Sequence, residues 1–256
     1  MPFTLSHPAA VLPLRKLLGG KLVLSALIIG SLAPDFTYFF HLPFIRKDTH
    51  SLIALLWFCL PSSIMAYYLF HLLIKAPIYA LLPTSFQVRL QPEQVSNHKP
   101  INAEVLVSIL LGSLTHIIWD SFTHAGSSIV EQFPVFKTLL FEVNGYKVWL
   151  YKLLQHGSSV FGFLIILIYI FHWYQTTNAT HSINPVSPPL KHKAVIIISL
   201  VALPLLISIS FKLSLLPETY SLTSFQPFVG DVVKSAFGLF TIDIILYSLL
   251  LRCLSK

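Results

Sequence analysis

The chain has 256 residues, 55% of them hydrophobic and only 11% charged, with a mean hydropathy of +0.74. Soluble domains carry roughly 25% charged residues, so there is too little polar surface here to coat a water-soluble globule. The net charge of +7 comes from 17 Lys and Arg residues dispersed through loops and helix ends, a pattern that argues against a nucleic-acid stripe and for attraction to anionic lipid headgroups.

In chain order, the first apolar run is Leu22–Ala33, which ends at Pro34-Asp35. It is shorter than the ~20 residues a crossing needs, so it reads as a re-entrant or interfacial helix. Arg15, Lys16 and Lys21 precede it, but Leu32-Ala33-Pro34-Asp35 is a poor signal-peptidase site, and the N-terminus is expected to be retained. Apolar windows at Leu52–Leu73, Val105–Phe122, Val160–Trp173, Ala194–Leu216 and Val232–Leu251 then predict five spans. Pro77 and Pro83 are expected to break the chain after the first of these, and Gly126 to close the second. Gln175–Pro189, with Asn184-Pro185 and Pro188-Pro189, reads as a flexible loop. The expected architecture is all-α: a polytopic membrane helix bundle forming one integral membrane domain over 1–256, with about five spans and an N-terminal helix of re-entrant length. Within it, 1–174 carries most ionisable residues, 175–193 is the loop and 194–256 is a C-terminal helix pair. Loop counts of Lys and Arg nearly balance and leave the orientation open. Cys59 and Cys253, both in apolar segments, read as reduced thiols.

The stretch Thr115–His124 places His116, Asp120 and His124 four residues apart at the end of an apolar span, where hydrocarbon would be cheaper. A bound metal ion would compensate that cost. Four residues of helix advance about 6 Å and rotate roughly 40°, so His116 and Asp120 can chelate one ion, whereas His116 and His124, about 12 Å apart, cannot share it. Asp120 has two oxygens and is placed to bridge two ions. Counting crossings puts Asp35, His50, Asp120, His124 and His156 on one side of the membrane. His7 joins them if Leu22–Ala33 turns back without crossing, which is the arrangement favoured here. Mixed nitrogen and oxygen ligands favour zinc over manganese or iron. Thr49, Ser51, Thr115, Thr123 and Ser127 are candidate partners for orienting the imidazoles. His41, His71, His98, His172, His181 and His192 are read as non-functional, and Asp243 as a helix-packing hydrogen bond.

Met1-Pro2-Phe3-Thr4-Leu5-Ser6-His7-Pro8-Ala9-Ala10, Gly30-Ser31-Leu32-Ala33-Pro34-Asp35-Phe36, the Thr115–His124 stretch and Tyr151-Lys152-Leu153-Leu154-Gln155-His156-Gly157-Ser158-Ser159 together resemble a bacterial membrane family known only as a domain of unknown function. The order His, Pro-Asp, Thr-His-Ser, His-x3-Asp is also similar to bacterial membrane-bound metal-dependent hydrolases and, more remotely, to zinc-dependent phospholipase C and the single-strand-specific zinc nucleases. The resemblance implies Asp35, His50, His116 and Asp120 as the principal ligands, with His7, His124 and His156 serving a second ion or the substrate. It implies a multi-pass protein of the bacterial inner membrane that hydrolyses a lipid-like phosphoester, with Asp35 and Asp120 in the chemistry and membrane lipids as partners. No N-terminal Trp is present to bind zinc and Val160 stands where an acid would follow His156, so one or two ions are expected rather than three. The alternative is a non-catalytic membrane protein with a structural metal or polar cluster. Metal or proton transport is disfavoured because the polar residues gather at one side.

Overall fold

The computed structural model describes residues 3–18, 20–39, 49–90, 100–143, 146–179, 188–214 and 222–254. His41, His98 and His181, and residues 180–187 of the loop expected over 175–193, lie outside the described residues, while the ends of that expected loop, 175–176 and 190–193, belong to helices. Helix α1 (Pro8–Leu17) begins with Pro8 at its first position, where a missing N–H costs nothing, and carries Arg15 and Lys16 in its last turn, where the helix dipole favours them. Helix α2 (Leu24–Leu32) runs into a 3-10 turn at Ala33–Asp35 and a short helical stretch at Phe36–Phe39. At 1.5 Å per residue, α1 and α2 are each only about 15 Å long, half of the hydrocarbon thickness.

Five helices are long and apolar enough to cross a membrane: α3 (Leu55–Leu81), α4 (Ala103–Ser121), α5 (Leu150–Thr176), α6 (Leu190–Ser214) and the stretch Phe228–Leu254 of α7 (Leu222–Leu254). The all-α membrane bundle expected from the composition is therefore what the chain forms. Asn102 caps α4 by accepting the Val105 N–H at 3.0 Å. Beyond Ser121 the chain leaves the helix in tight turns and reaches Gly126 at φ +80°, a left-handed conformation that glycine adopts without strain.

Three local expectations are revised. Helix α3 does not stop before Pro77 but continues to Leu81. Pro77 supplies no N–H, and the wide π-helical turn at Phe70–Ile74 just ahead of it loosens the ladder where that bond is missing. Helix α5 starts at Leu150, ten residues ahead of the apolar window at Val160, so His156, expected to begin this span, lies nearly two turns inside the helix. Finally, a hairpin of β1 (Leu139–Val143) and β2 (Tyr146–Trp149) precedes α5, antiparallel and in register from Val143↔Tyr146 to Phe141↔Val148, with a register shift between Phe141 and the last pair, Leu139↔Trp149.

The chain divides into two compact units. The first comprises 1–36, 44–67 and 99–176, and buries Ala26, Tyr67, Val105 and Ile109 in one cluster, Ala33, Ala54, Phe58 and Cys59 in another, and Val11, Leu22 and Leu27 in a third. The second comprises 37–43, 68–98 and 177–256, where Ile74 and Leu81 of α3 pack with Leu200 of α6 and Ile244 of α7. There the buried Lys193 ammonium donates to the Leu82 carbonyl at 2.6 Å.

Backbone contact joins α2 to α4 in the first unit. A Cβ on Gly30 would lie 2.3 Å from the Ile109 carbonyl oxygen, and one on Gly112 would lie 2.2 Å from that of Leu27. Only small residues permit this approach between apolar helices. The Ser113 hydroxyl then donates across the crossing to the Gly30 carbonyl at 3.0 Å.

Candidate metal centre

The α2–α4 crossing fixes the centre. One turn beyond Gly112, the His116 Nδ1–H donates to the Ser31 carbonyl at 2.7 Å. That bond commits the ring proton to Nδ1 and leaves a lone pair on Nε2. Nε2 faces Asp120 Oδ2 at 3.3 Å and Asp35 Oδ1 at 3.8 Å. His50, just before α3, brings its Nε2 to 3.2 Å from Asp35 Oδ1 and 3.3 Å from Asp120 Oδ2, and its Nδ1 lies 3.2 Å from the Thr49 hydroxyl. One ligand atom from each of Asp35, His50, His116 and Asp120 lies within 4.8 Å of every other. The Thr4 hydroxyl bonds to Asp35 Oδ2, which turns Oδ1 toward the imidazoles.

The other oxygen of Asp120 faces a different pair. His7 Nε2 lies 3.1 Å from Oδ1, while its Nδ1–H donates to the Thr4 carbonyl at 3.1 Å and its ring stacks on His116 with centroids 3.8 Å apart. His124 follows the helix rather than belonging to it, and its Nδ1 lies 3.6 Å from the same Oδ1. His7 starts α1 and Asp35 follows α2, so the two short helices leave the centre and return to it. His7 joins the group through this pair of helices, whereas the sequence expectation placed the turning back within Leu22–Ala33 itself.

Asp35 and His116 are fully buried and Asp120 nearly so, whereas the side chains of His50 and His124 are 25% and 26% exposed. Burial disfavours charge on His50, but the Asp120 and Asp35 carboxylates outweigh it and hold its pKa up at about 9. Burial, reinforced by His116, pushes His7 below the ordinary histidine value in spite of Asp120. Burial lowers His124 as well, against the pull of Asp120.

Of the seven residues singled out in the sequence, six therefore come together, four histidines around the two carboxylates. His156 does not: it is exposed on α5, and none of the ion pairs around Asp35 and Asp120 among the described residues involves it. Thr49 and Thr123 do lie beside the imidazoles of His50 and His124. Ser51, Thr115 and Ser127 instead bond to backbone at Ala54, Gly112 and Ser121. Sequence reasoning gave no role to Thr4 or to the Ser31 carbonyl, although both stand inside the motifs quoted above.

The donor set fits a divalent cation. Asp35 Oδ1, His116 Nε2, Asp120 Oδ2 and His124 Nε2 are buried and make no hydrogen bond of acceptable geometry. Each such atom costs about 1–3 kcal/mol. The first three are electron-pair donors aimed at one another, and a cation held among them and His50 Nε2 satisfies them together. No curated protein and no solved structure matches the chain. A family model does match over residues 1–249, and the chain accordingly belongs to the family described as domain of unknown function DUF4184.

Proposed function

We propose that the protein is a membrane-embedded, metal-dependent hydrolase, a phosphoesterase that holds zinc in the Asp35, His50, His116 and Asp120 set and acts at the surface of a bacterial cytoplasmic membrane. The observation that carries this reading is the group of buried, hydrogen-bond-deficient ligand atoms within 4.8 Å of one another. Two histidines with two carboxylates form a nitrogen and oxygen set that suits zinc, and the absence of thiolate ligands from it argues against a closed structural knuckle.

When bound, such an ion polarises a phosphoryl oxygen and lowers the pKa of water toward neutrality. The protein's own residues do the rest. Asp35, held by Thr4, and Asp120, held between two histidine pairs, are the carboxylates assigned to the chemistry. His50 and His124 are the partly exposed imidazoles of the site and border the approach for a substrate. His7 and His124 flank the second oxygen of Asp120, where they serve a second ion or the phosphoryl group. The substrate class is a lipid-like phosphoester, for which the support is the placement of the site among apolar, membrane-length helices.

A second reading, a non-catalytic protein with a structural metal, draws on the full burial of Asp35 and His116. Metal analysis and phosphoester hydrolysis on the purified chain separate the two. The catalytic reading expects bound zinc and turnover that Asp120→Asn abolishes. A zinc-loaded protein that cleaves no phosphomonoester or phosphodiester would overturn it.

A further inference from the structure

We propose that a cavity beside the centre holds the single hydrocarbon chain of an amphiphilic substrate whose polar end reaches the His/Asp cluster; this deepens, and rests on, the hydrolase reading. The cavity measures about 490 Å³ and is lined by Ala10 of α1, Ile118 and Trp119 of α4, Phe122 just beyond its end, and Leu154 and Ser158 of α5. That volume is in the usual range for small-molecule sites of roughly 300–1,000 Å³.

Two features choose the occupant. The outer rim belongs to helices of membrane-crossing length and is open, with Ile118 51% and Leu154 37% exposed, so the cavity opens onto their apolar outer surface. The inner wall is shared with the centre: the Trp119 ring lies 5.4 Å from that of His7, and the Thr123 hydroxyl, also on the wall, lies 3.3 Å from His124 Nδ1. The indole N–H of Trp119 is spent on the Ser158 hydroxyl at 3.0 Å, and the Thr115, Thr123 and Ser158 hydroxyls of the same wall donate to the backbone carbonyls of Gly112, Trp119 and Gln155, so the wall offers an occupant no free donor. A sugar or nucleotide would leave its polar groups unpaired here, whereas an alkyl chain would not. A molecule entering along this apolar surface thus lays its chain against Ile118, Phe122 and Leu154 with its head beside Thr123 and the partly exposed His124.

The test compares dodecyl phosphate with butyl phosphate as substrates of the zinc-loaded full chain in detergent. The expected result is a kcat/KM at least roughly ten-fold higher for the longer chain, a ratio that falls toward one in Ala10→Phe, which fills the cavity from α1. Leu154→Trp fills it from α5 and gives the same collapse if Ala10→Phe does not fold. Equal kcat/KM for both substrates in the wild type, or a ratio that survives the filling variants, would overturn the proposal. If neither ester is cleaved, the hydrolase reading fails separately, and the cavity is judged by native mass spectrometry with dodecyl phosphate. One molecule retained per chain and lost in Ala10→Phe supports the chain site, and no retention refutes it. Cross-linking of Leu154→Cys to a second copy, with Cys253 replaced by Ser, would assign the cavity to an interface between copies and also refute it.

Discussion

At the scale of single residues, the centre depends on groups that never touch a cation. Thr4 fixes Asp35, and the Ser31 carbonyl fixes the tautomer of His116. Thr4→Val should therefore weaken metal binding by about 10–100-fold with the fold intact, while Thr4→Ser retains it; competition with a chelating dye reads both. A coordinating imidazole must give up its ring proton, and metal-free His50 keeps its proton up to about pH 9. Zinc uptake at neutral pH should thus release a proton, and apparent affinity should climb as pH rises toward 9, measurable by titration calorimetry in buffers of different ionisation enthalpy. The sign follows from the raised value: the charged ring stabilises the metal-free protein at neutral pH, and that contribution is lost as pH rises through about 9. His116 and Asp120 were legible in the sequence because their spacing puts them on one helical face, and Asp35 and His50 because span counting puts them at one membrane side. Thr4 and Ser31 were not, since their partners lie 31 and 85 positions away and a backbone carbonyl has no residue identity to read. Span counting gave His156 a side but no rotation about α5, and rotation leaves it exposed.

At the scale of elements, the α2–α4 crossing controls the centre from a distance. Gly112→Val would drive its Cβ into the Leu27 carbonyl, so it should lower the melting temperature, costing about 1–3 kcal/mol, and reduce bound metal in the same sample. Gly157→Ala meets nothing within 4 Å and should be neutral or stabilising by up to about 1 kcal/mol, which makes it the control in the same thermal-shift series. The spans themselves were readable because hydropathy over a crossing-length window is a strong signal. Pro77 misled because a single breaker says nothing about the wide turn that accommodates it. The hairpin was missed although Asn144-Gly145, the pair that favours a two-residue turn, stands between its strands. Its apolar residues hid the signal: Leu139, Leu140 and Phe141 are 43%, 41% and 51% exposed and follow no in-and-out alternation.

At the scale of the whole molecule, α5 is long enough to carry the chain from one membrane face to the other. Cysteines placed at Lys137 and Gln175, with Cys253 replaced by Ser, should react with an impermeant maleimide from opposite sides of sealed vesicles, and labelling of both from one side would remove α5 from the set of crossings. The hairpin of α1 and α2 has a further consequence, for biogenesis. His7 leaves the ribosome early, yet its carboxylate partner Asp120 is synthesised 113 positions later. Translation must produce α4 before the leading segment can dock, so the full ligand set assembles only once Asp120 has been made. Nascent chains stalled before Asp120 should accordingly retain no zinc, however much is supplied.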